Sequence, residues 1–466
     1  MMSWWNGLRN RVAGEGKASS EESRFALALL QQGNLLQAEA EYQRWCLVDP
    51  VGHEALINAA VVALLRRHWN EALSALEAVI RLDGDLAEAL TMLGTTWIQL
   101  GDPEQALTFQ QRALEIDPQL PEAHRGRADA LRALGCLSQA ISAYEMALQI
   151  RPEYVQAQWN LATTLLLAGE YERGWQLYGA RFSPRVGVQP IAASSLPIWP
   201  GGVPQRGDSL LLIAEQGLGD TIQFARYLPL LRGRGVQVSL AAQPQLQGLL
   251  GDSGISLGSK TSRAWLPLMS LPALLGVTPQ SPMVVDPYLR APAALPEGLQ
   301  RLRADGGPHL VALNWQGNPG IEISNFSGRS LPLEAFSPLA SVPGVEFVSV
   351  QKGYGSDQLD VCSFRDCFSA CQPLIDRLMD FRDMASVICQ CDLLITSDTA
   401  VAHLAGAIGH PTWLLLQKVP DWRWGMEGET SFWYPSMRLF RQDVAGNWDG
   451  VMQRVSVALS EFVATT

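Results

Sequence analysis

Two patterns of apolar and polar residues divide the chain. The first 180 or so residues read as successive helices in which small residues recur at fixed positions. After Asp208, short apolar runs alternate with helical stretches, a pattern that predicts buried parallel strands and doubly wound sheets. We therefore expect a helical region followed by an α/β region. The six predicted strands are residues 210–214, 236–240, 310–315, 347–350, 392–396 and 412–416.

A 34-residue period organises the helical region. Gly33, Arg67, Gly101, Gly135 and Gly169 follow one another at this spacing, and a small residue lies seven positions before and five positions after each. Small residues let paired helices approach closely, and glycine makes the turn between them. The array resembles the tetratricopeptide repeat, a solenoid of helix pairs with a concave binding face. The small residues are Ala26, Ala60, Gly94, Ala128 and Ala162 before the turn, and Ala38, Ala72, Ala106, Ala140 and Gly174 after it.

An asparagine ladder is largely missing from these repeats. The layout resembles that of O-GlcNAc transferase, whose peptide-gripping repeats carry an asparagine before the leucine of the first helix. Here that position holds Arg24, Asn58, Met92, Gly126 and Asn160. Two asparagines in five do not predict sequence-independent gripping of a peptide backbone. Structural support and ligand binding both stay open for the array.

Composition narrows the functional classes. The net charge of -11 argues against a broad nucleic-acid surface, and no apolar run has the length of a membrane span. The first residues lack a signal core, so we expect a cytoplasmic protein. Trp4 and Trp5 beside Arg9 and Arg11 leave a peripheral membrane contact open, although a frayed terminus is the favoured interpretation. The seven cysteines form no paired C-x2-C motifs, so no metal site is predicted.

The pattern divides the chain into five segments. Prolines and glycines between Ser183 and Asp208 predict a linker, and residues 278–308, with Gly306-Gly307, look like a hinge. The predicted segments are a flexible N-terminus (1–20), the repeat array (21–182), the linker (183–208), an N-terminal Rossmann-like half (209–300) and a C-terminal half (301–466).

Each predicted half contains a strand–turn–helix motif whose residues could bind a ligand or take part in catalysis. In the first, Gly217-Leu218-Gly219 nearly matches the dinucleotide fingerprint, but Ile222 replaces the third glycine and Asp220 lies where phosphate would approach. A nicotinamide oxidoreductase is therefore not favoured. In the second, Ser397-Asp398-Thr399 leads into the helix AVAHLAGAI, whose N-terminal amides suit a diphosphate. Capping of that helix by Asp398 and Thr399 is the competing interpretation.

Six motifs in order carry a wider resemblance. GLGDTIQFARYLPLL, WQGNP, RSLPL, VSVQKG, ITSDTAVAHLAGAIG and PDWRW with WYPSMRLFRQ follow one another along the chain. Together with the repeats, they resemble bacterial tetratricopeptide-repeat glycosyltransferases related to the lipopolysaccharide heptosyltransferases of family 9. That resemblance implies the GT-B fold, with two Rossmann-like domains facing a cleft, a nucleotide-sugar on the C-terminal one, inversion at the anomeric carbon and no metal.

The resemblance also implies residue roles. Asp220 would be the general base; its alternative role is a helix cap, and the helix dipole is expected to lower its pKa. Acceptor-side residues would be Gly217, Gly219 and Gln223. Trp422, Arg423 and Trp424 would wall the cleft, and the final helix (448–463) would cross back to the first half. On the donor side, Asp398 would bind sugar hydroxyls, Thr399 and Ala400 would bind the diphosphate, and His403 would support the phosphate or the sugar. Further phosphate contacts would come from Gly317, Asn318 and Arg329. Gln351 and Lys352 would lie beside the nucleotide.

The sequence thus predicts an inverting glycosyltransferase. It would move a sugar from a nucleoside diphosphate donor, without a further cofactor, to a hydroxyl on a glycan or protein held with help from the repeats. The alternative is a non-catalytic repeat scaffold with a degenerate GT-B module.

Overall fold

The chain folds into two compact units, divided after Thr164. The predicted flexible N-terminus and its tryptophan pair lie outside the described residues. The computed structural model describes residues 25, 28–29, 32–48, 53–258, 261–284, 287–292, 299, 302, 307–320, 322, 328–378 and 380–465.

The first unit is a stack of antiparallel helix pairs. The predicted turn residues all adopt the left-handed conformation, with φ of 77° at Gly33, 63° at Arg67, 85° at Gly101, 79° at Gly135 and 85° at Gly169. This conformation favours glycine, so the predicted turns are confirmed. The helices are α1 (Leu35–Val48), α2 (His53–Arg66), α3 (Trp69–Leu82), α4 (Ala87–Gln99), α5 (Pro103–Ile116), α6 (Pro121–Ala133), α7 (Leu137–Ile150) and α8 (Val155–Leu167), the last of which runs into the second unit.

A half-buried carboxylate connects three of these helices. Asp129 of α6 accepts hydrogen bonds from Arg125 on the same helix, from the Tyr144 hydroxyl of α7 and, at 2.8 Å, from the Asn160 side-chain amide of α8. Burial and the neighbouring Asp129 raise the pKa of Tyr144 well above its usual value, so the phenol remains a donor. Asn160, one of the two ladder asparagines, therefore holds neighbouring repeats together, which is a structural role.

The second unit contains two parallel sheets. The first has the strand order β2-β1-β3 and the second β5-β4-β6-β7-β8, and every adjacent pair is parallel. In such sheets the carboxyl ends of all strands share one edge, where ligands bind. The strands are β1 (Ser209–Ile213), β2 (Gln237–Ala241), β3 (Ala264–Pro267), β4 (His309–Asn314), β5 (Val345–Ser349), β6 (Leu393–Ser397), β7 (Thr412–Leu416) and β8 (Met437–Arg441).

All six predicted strands are present, but sequence reasoning missed two. Strand β3 has only four residues, AWLP, and ends in proline. Strand β8, MRLFR, carries arginines at two of its five positions, which obscures its apolar side. In the described part of the chain both are the last strand in the order of their sheet, where the apolar signal is weakest.

The helical stretch that follows β1 does not form one continuous helix. It forms α10 (Leu218–Phe224) and α11 (Tyr227–Gly233), because Pro229 has no N–H to continue the backbone hydrogen bonds. The other helices of this unit are α9 (Tyr171–Leu177), α12 (Gln247–Asp252), α13 (Leu271–Leu275), α14 (Gln372–Ile375), α15 (Phe381–Ile388), α16 (Ala400–Ala407) and α17 (Asp449–Thr465).

The end of the repeat pattern belongs to the second unit. In α9, the Trp175 indole donates to the Val277 carbonyl at 2.8 Å, and the following segment places Arg181 on Glu215. The predicted linker pairs with the first sheet, since the backbones of Trp199 and Trp265 are bonded. The predicted linker is thus docked on the first sheet, and the aromatic end of the array packs into the α/β core.

The predicted final helix is present as α17, but its predicted crossing to the N-terminal Rossmann-like half is not observed among the described residues. Its buried side chains, Val451, Met452, Val455 and Leu459 among them, lie in the core formed by β4–β8. The helix covers the sheet of its own half because its apolar face matches that core.

Candidate functional site

The two strand–turn–helix motifs predicted from the sequence, at Gly217–Gly219 and at Ser397–Thr399, meet in the second unit. Helix α10 begins after β1 and helix α16 begins after β6, and the N-termini of the two helices are in contact. A Cβ atom added at Gly219 would lie 2.7 Å from Cδ2 of His403 and 3.4 Å from the Cα of Ala400. The structure thus brings together the predicted acceptor-side turn and the predicted donor-side helix. Glycine at position 219 is what permits the approach.

Gly219→Ala is expected to force the two helices apart. His403 is buried and bonded to Tyr434, so it has little freedom to yield, and we expect the second unit to lose about 1–3 kcal/mol of stability. Calorimetric unfolding would measure the loss. Gly233→Ala is the matched control, because a Cβ there meets no atom within 4 Å. Equal stability of the two variants would contradict the close contact.

Asp220 is both a helix cap and a partner in a buried ion pair. Its Oδ2 accepts the Gly217 N–H at 2.8 Å, and its Oδ1 accepts from the Arg423 guanidinium. Burial raises the pKa of the Asp220 carboxyl, and Arg423 and the Gly217 N–H only partly oppose this. The prediction of a lowered pKa is therefore wrong, because desolvation outweighs the helix dipole.

Arg423 is the residue whose importance the sequence left undecided. It is buried, it donates to Asp421 at 2.8 Å and to the Gln223 Oε1, and its guanidinium lies 4.3 Å from the centre of the Trp422 ring. Five N–H donors in one plane let an arginine bind several oxygens at once. The motif PDWRW signalled it only as an arginine between two tryptophans.

Gln223 is turned inward, away from any solvent-facing acceptor surface. It is fully buried, and its Nε2 has no hydrogen-bond partner among the described residues. Ser397, at the end of β6, likewise has a fully buried Oγ without a partner in the described part of the chain. Buried polar groups are nearly always bonded, so these two atoms call for water or a ligand.

The donor-side helix α16 is not capped by its own turn. Thr399 occupies the N-cap position, but its hydroxyl donates to Asn314 Oδ1 at 2.7 Å, and no side chain in the described residues caps the helix. The capping interpretation of Asp398 and Thr399 is therefore wrong. In the described structure the Ala402 N–H bonds to the Thr399 carbonyl at 3.1 Å, which leaves the Ala400 and Val401 amides of the first turn for an anion, an arrangement that the helix dipole favours.

Asp398 is a buried carboxyl with a strongly perturbed pKa. Burial, and then the charge of Asp421, raise its pKa from 3.8 to about 6, against the opposing effects of Arg329, Trp424 and Arg423. Buried carboxylates and cations thus surround the start of α16. Clusters with perturbed pKa values are typical of functional sites.

Asp398→Asn is expected to remove a pH-dependent instability. The folded-state pKa is raised, so the stability contributed by the neutral form is complete below about pH 4 and is lost as the pH rises through 6. The rise corresponds to about 3 kcal/mol. The variant should match the natural protein at pH 4 and exceed its stability at pH 7.5 in calorimetric unfolding. Parallel pH profiles would contradict this.

His403 is neutral and held in place. Its Nδ1 lies 2.9 Å from the Tyr434 hydroxyl, and its ring stacks on Trp424 at 5.5 Å between centroids. Burial, Arg423, Arg226 and Arg329 lower its pKa well below its usual value. An imidazole of this kind can donate or accept one hydrogen bond toward α10 but carries no charge for a phosphate.

The loop after β4 brings Gly317, Asn318 and Arg329 together. The Gly317 N–H donates to Ser330 Oγ at 2.9 Å, and a Cβ at Gly317 would lie 2.6 Å from Nη2 of Arg329. Asn318 bonds within its own turn, to the Gly320 N–H. Arg329 pairs with Glu322 at 3.3 Å, and its charge lowers the pKa of Asp398. Arg329 is thus near the start of α16, as predicted.

The side chains of Gln351 and Lys352 form hydrogen bonds with neighbouring groups of the protein. The Gln351 Oε1 accepts from the Asn314 amide at 2.8 Å and from two backbone N–H groups, while its Nε2 donates to two carbonyls. Lys352 donates to the Ile375 carbonyl at 2.6 Å, and burial lowers its pKa. Gln351 therefore orders the loop after β4 and has no capacity left for a nucleotide.

One group in the described chain has the spacing of metal ligands. Glu39, His68 and Glu71 of the first unit have potential ligand atoms within 4.8 Å of one another. Glu39 also pairs with Arg66, whose positive charge already neutralises it. Among the described residues, no helix has the length and apolar character needed to cross a bilayer.

Comparison with known proteins defines the class of the first unit and its continuation. Residues 63–130 and 122–181 match family models described as tetratricopeptide repeat. The N-terminal part of the chain is therefore a tetratricopeptide-repeat solenoid, followed by an α/β region with parallel sheets.

One relative is similar over nearly the whole chain. Protein FlbA of Caulobacter vibrioides is 27% identical over 455 residues, which cover 91% of this chain and 75% of that protein. Solved structures of repeat proteins resemble part of the present chain. YrrB, a protein of this repeat class with an unusual peptide-binding site, is 22% identical, covering 38% of this chain and 92% of its own, with a TM-score of 0.29. TTC0263 of Thermus thermophilus is 21% identical, covering 36% and 93%, with a TM-score of 0.33.

Proposed function

We propose that the second unit is a glycosyltransferase module of the GT-B type, which transfers a sugar from a nucleoside diphosphate donor to a hydroxyl acceptor. The observation that carries this proposal is the contact between two strand–turn–helix elements from separate parallel sheets. One offers the uncapped N-terminus of α16 with Asp398, and the other offers the Asp220 carboxylate. A donor side and a base on opposite sheets are what such a transfer requires.

The proposed chemistry uses the chain's own charges. The α16 amides and Thr399 would hold the diphosphate, and Asp398 would accept hydrogen bonds from sugar hydroxyls. Asp220 would take the proton of the acceptor hydroxyl, and its raised pKa makes it a stronger base than an exposed aspartate. Arg329 and Arg423 would offset the charge of the departing diphosphate, the task that a metal performs in other transferases.

We further propose that the repeats bind the acceptor or a partner protein. The support is the repeat class itself, whose concave face commonly binds other chains. Asn160 is committed to Asp129, so recognition would use side chains other than an asparagine ladder.

A non-catalytic scaffold is the second candidate. The hydrogen bonds of Asp220 favour this candidate. Gly217 binds one carboxylate oxygen and Arg423 binds the other, so neither is free to accept a proton from an acceptor. The scaffold is also favoured by the direct contact of the two helix N-termini at Gly219. In this case the α/β unit would be a closed structural body, and the repeats alone would carry the function.

Donor binding separates the two candidates. The folded protein would be titrated calorimetrically with UDP-, GDP-, ADP- and dTDP-sugars, alongside Asp398→Ala. We expect one donor to bind and the variant to lose at least about tenfold in affinity, the effect of a lost charged hydrogen bond. Asp357→Ala, an exposed carboxylate of the same unit, is the matched control. No binding by any donor would support the scaffold.

A further inference from the structure

Arg423 joins the two halves of the second unit at the candidate site. Its segment, Trp422–Trp424, follows β7 in the C-terminal half, whereas Asp220 and Gln223 lie on α10 of the N-terminal half. The guanidinium donates to both of these residues and to Asp421 on its own segment. It thus forms a charged bridge across the proposed cleft.

This bridge occupies the carboxylate that the proposed reaction needs. The Gly217 N–H takes Asp220 Oδ2, so Oδ1 is the oxygen left for an acceptor hydroxyl, and Arg423 holds it. A carboxylate paired with an arginine accepts a proton poorly, because the positive charge stabilises its ionised form. Asp220 therefore needs Arg423 to move before it can act as a base.

The start of α16 provides an alternative partner for Arg423. The arginine charge already acts on two residues there, because it lowers the pKa of both Asp398 and His403. Two fully buried groups nearby, Gln223 Nε2 and Ser397 Oγ, have no partner in the described chain and point to a missing polar ligand. A diphosphate at the α16 amides would carry more charge than the Asp220 carboxylate and would attract the guanidinium more strongly.

We propose that Arg423 is a donor-operated latch, which rests on the proposed transferase function: it holds Asp220 in the free protein and moves to the donor diphosphate when the donor binds. Asp220 then receives the proton of the acceptor hydroxyl. The acceptor oxygen forms a bond to the anomeric carbon while the bond from that carbon to the phosphate oxygen breaks. The diphosphate leaves with the bonding electron pair, and Arg423 neutralises its charge. The donor must therefore bind before the acceptor can react.

A double-mutant cycle on diphosphate binding tests the latch. The nucleoside diphosphate of the donor is titrated calorimetrically into the natural protein, Asp220→Asn, Arg423→Gln and the double variant. Arg423→Gln should weaken binding about 10- to 100-fold. Asp220→Asn keeps the cap to Gly217 but releases the arginine, so it should tighten binding several-fold, and only when Arg423 is present.

The outcomes decide between the proposals. An equal effect of Asp220→Asn in both backgrounds, or unchanged binding by Arg423→Gln, would overturn the latch while leaving the transferase intact. Absence of nucleoside diphosphate binding by the natural protein would overturn both. Arg423→Lys guards against misfolding of the glutamine variant. It keeps the positive charge but lacks the planar set of five donors, and we expect its affinity to fall between those of the natural protein and Arg423→Gln.

Discussion

Asp220→Asn is expected to lower the rate of sugar transfer by about 10²- to 10⁴-fold, the range of a lost general base. The amide can still accept the Gly217 N–H, so α10 keeps its start, but it cannot take a proton from the acceptor. Donor affinity should not fall, because Asp220 would contact the acceptor and not the diphosphate. The decisive readout is the separate measurement of kcat and of the KM for the donor.

The control for this variant is Asp208→Asn, which removes a carboxylate just before β1, away from the two turns. It should transfer sugar at the natural rate. If Asp220→Asn lost donor binding and rate together, its effect would be structural, and the base would have to be sought elsewhere.

Arg181→Met is expected to destabilise the second unit by about 3–5 kcal/mol. Arg181 and Glu215 are almost fully buried, with two guanidinium–carboxylate contacts at 2.9 and 3.1 Å. Truncating the arginine leaves the Glu215 charge without its cation, although the Met269 N–H still donates to it. Calorimetric unfolding of the full chain would show the shift in the transition of the second unit.

Two further variants make this test specific. Arg185→Met lies four residues later on an exposed position and should leave the transition unchanged. Adding Glu215→Gln to Arg181→Met should recover part of the lost stability, because it removes the stranded charge. A double variant no more stable than Arg181→Met would contradict an ionic origin of the effect.

The Arg181–Glu215 pair also links the end of the repeat pattern to the site. Glu215 lies two residues before Gly217, and Trp175 of α9 packs edge-on against Trp422, the neighbour of Arg423, at 5.4 Å. This short segment thus contacts Glu215, just before the first turn, and Trp422, next to Arg423. Its position is set by packing contacts that no local pattern reveals.

The sequence predicts those parts of the fold that depend on local chemistry. The 34-residue spacing located the turn within each of the five repeats. This includes the turn at Arg67, which the spacing predicted although glycine is absent there. Six strands followed from apolar runs, whereas the edge strands β3 and β8 were too short or too charged to be recognised. The packing of the last repeat helices into the α/β core was not predictable, because it depends on long-range aromatic contacts.

The site was predictable only in part for the same reason. The two strand–turn–helix patterns and the family resemblance pointed to Asp220, Asp398, Thr399 and His403, and the structure places them around one contact between two helices. The raised pKa of Asp220 depends on burial, which the sequence does not contain, so the dipole argument gave the opposite sign. Gln351 follows a predicted strand, and the resemblance implied that it lies beside the nucleotide, yet its loop folds over it and uses both ends of the amide.

A crystal structure of the full chain with a nucleoside diphosphate sugar tests the central claim most directly. We predict the diphosphate at the first-turn amides of α16, the sugar hydroxyls on Asp398, and the Arg423 guanidinium on phosphate with Asp220 Oδ1 released. A donor bound elsewhere, with α16 empty and the Asp220–Arg423 pair unchanged, would contradict the account.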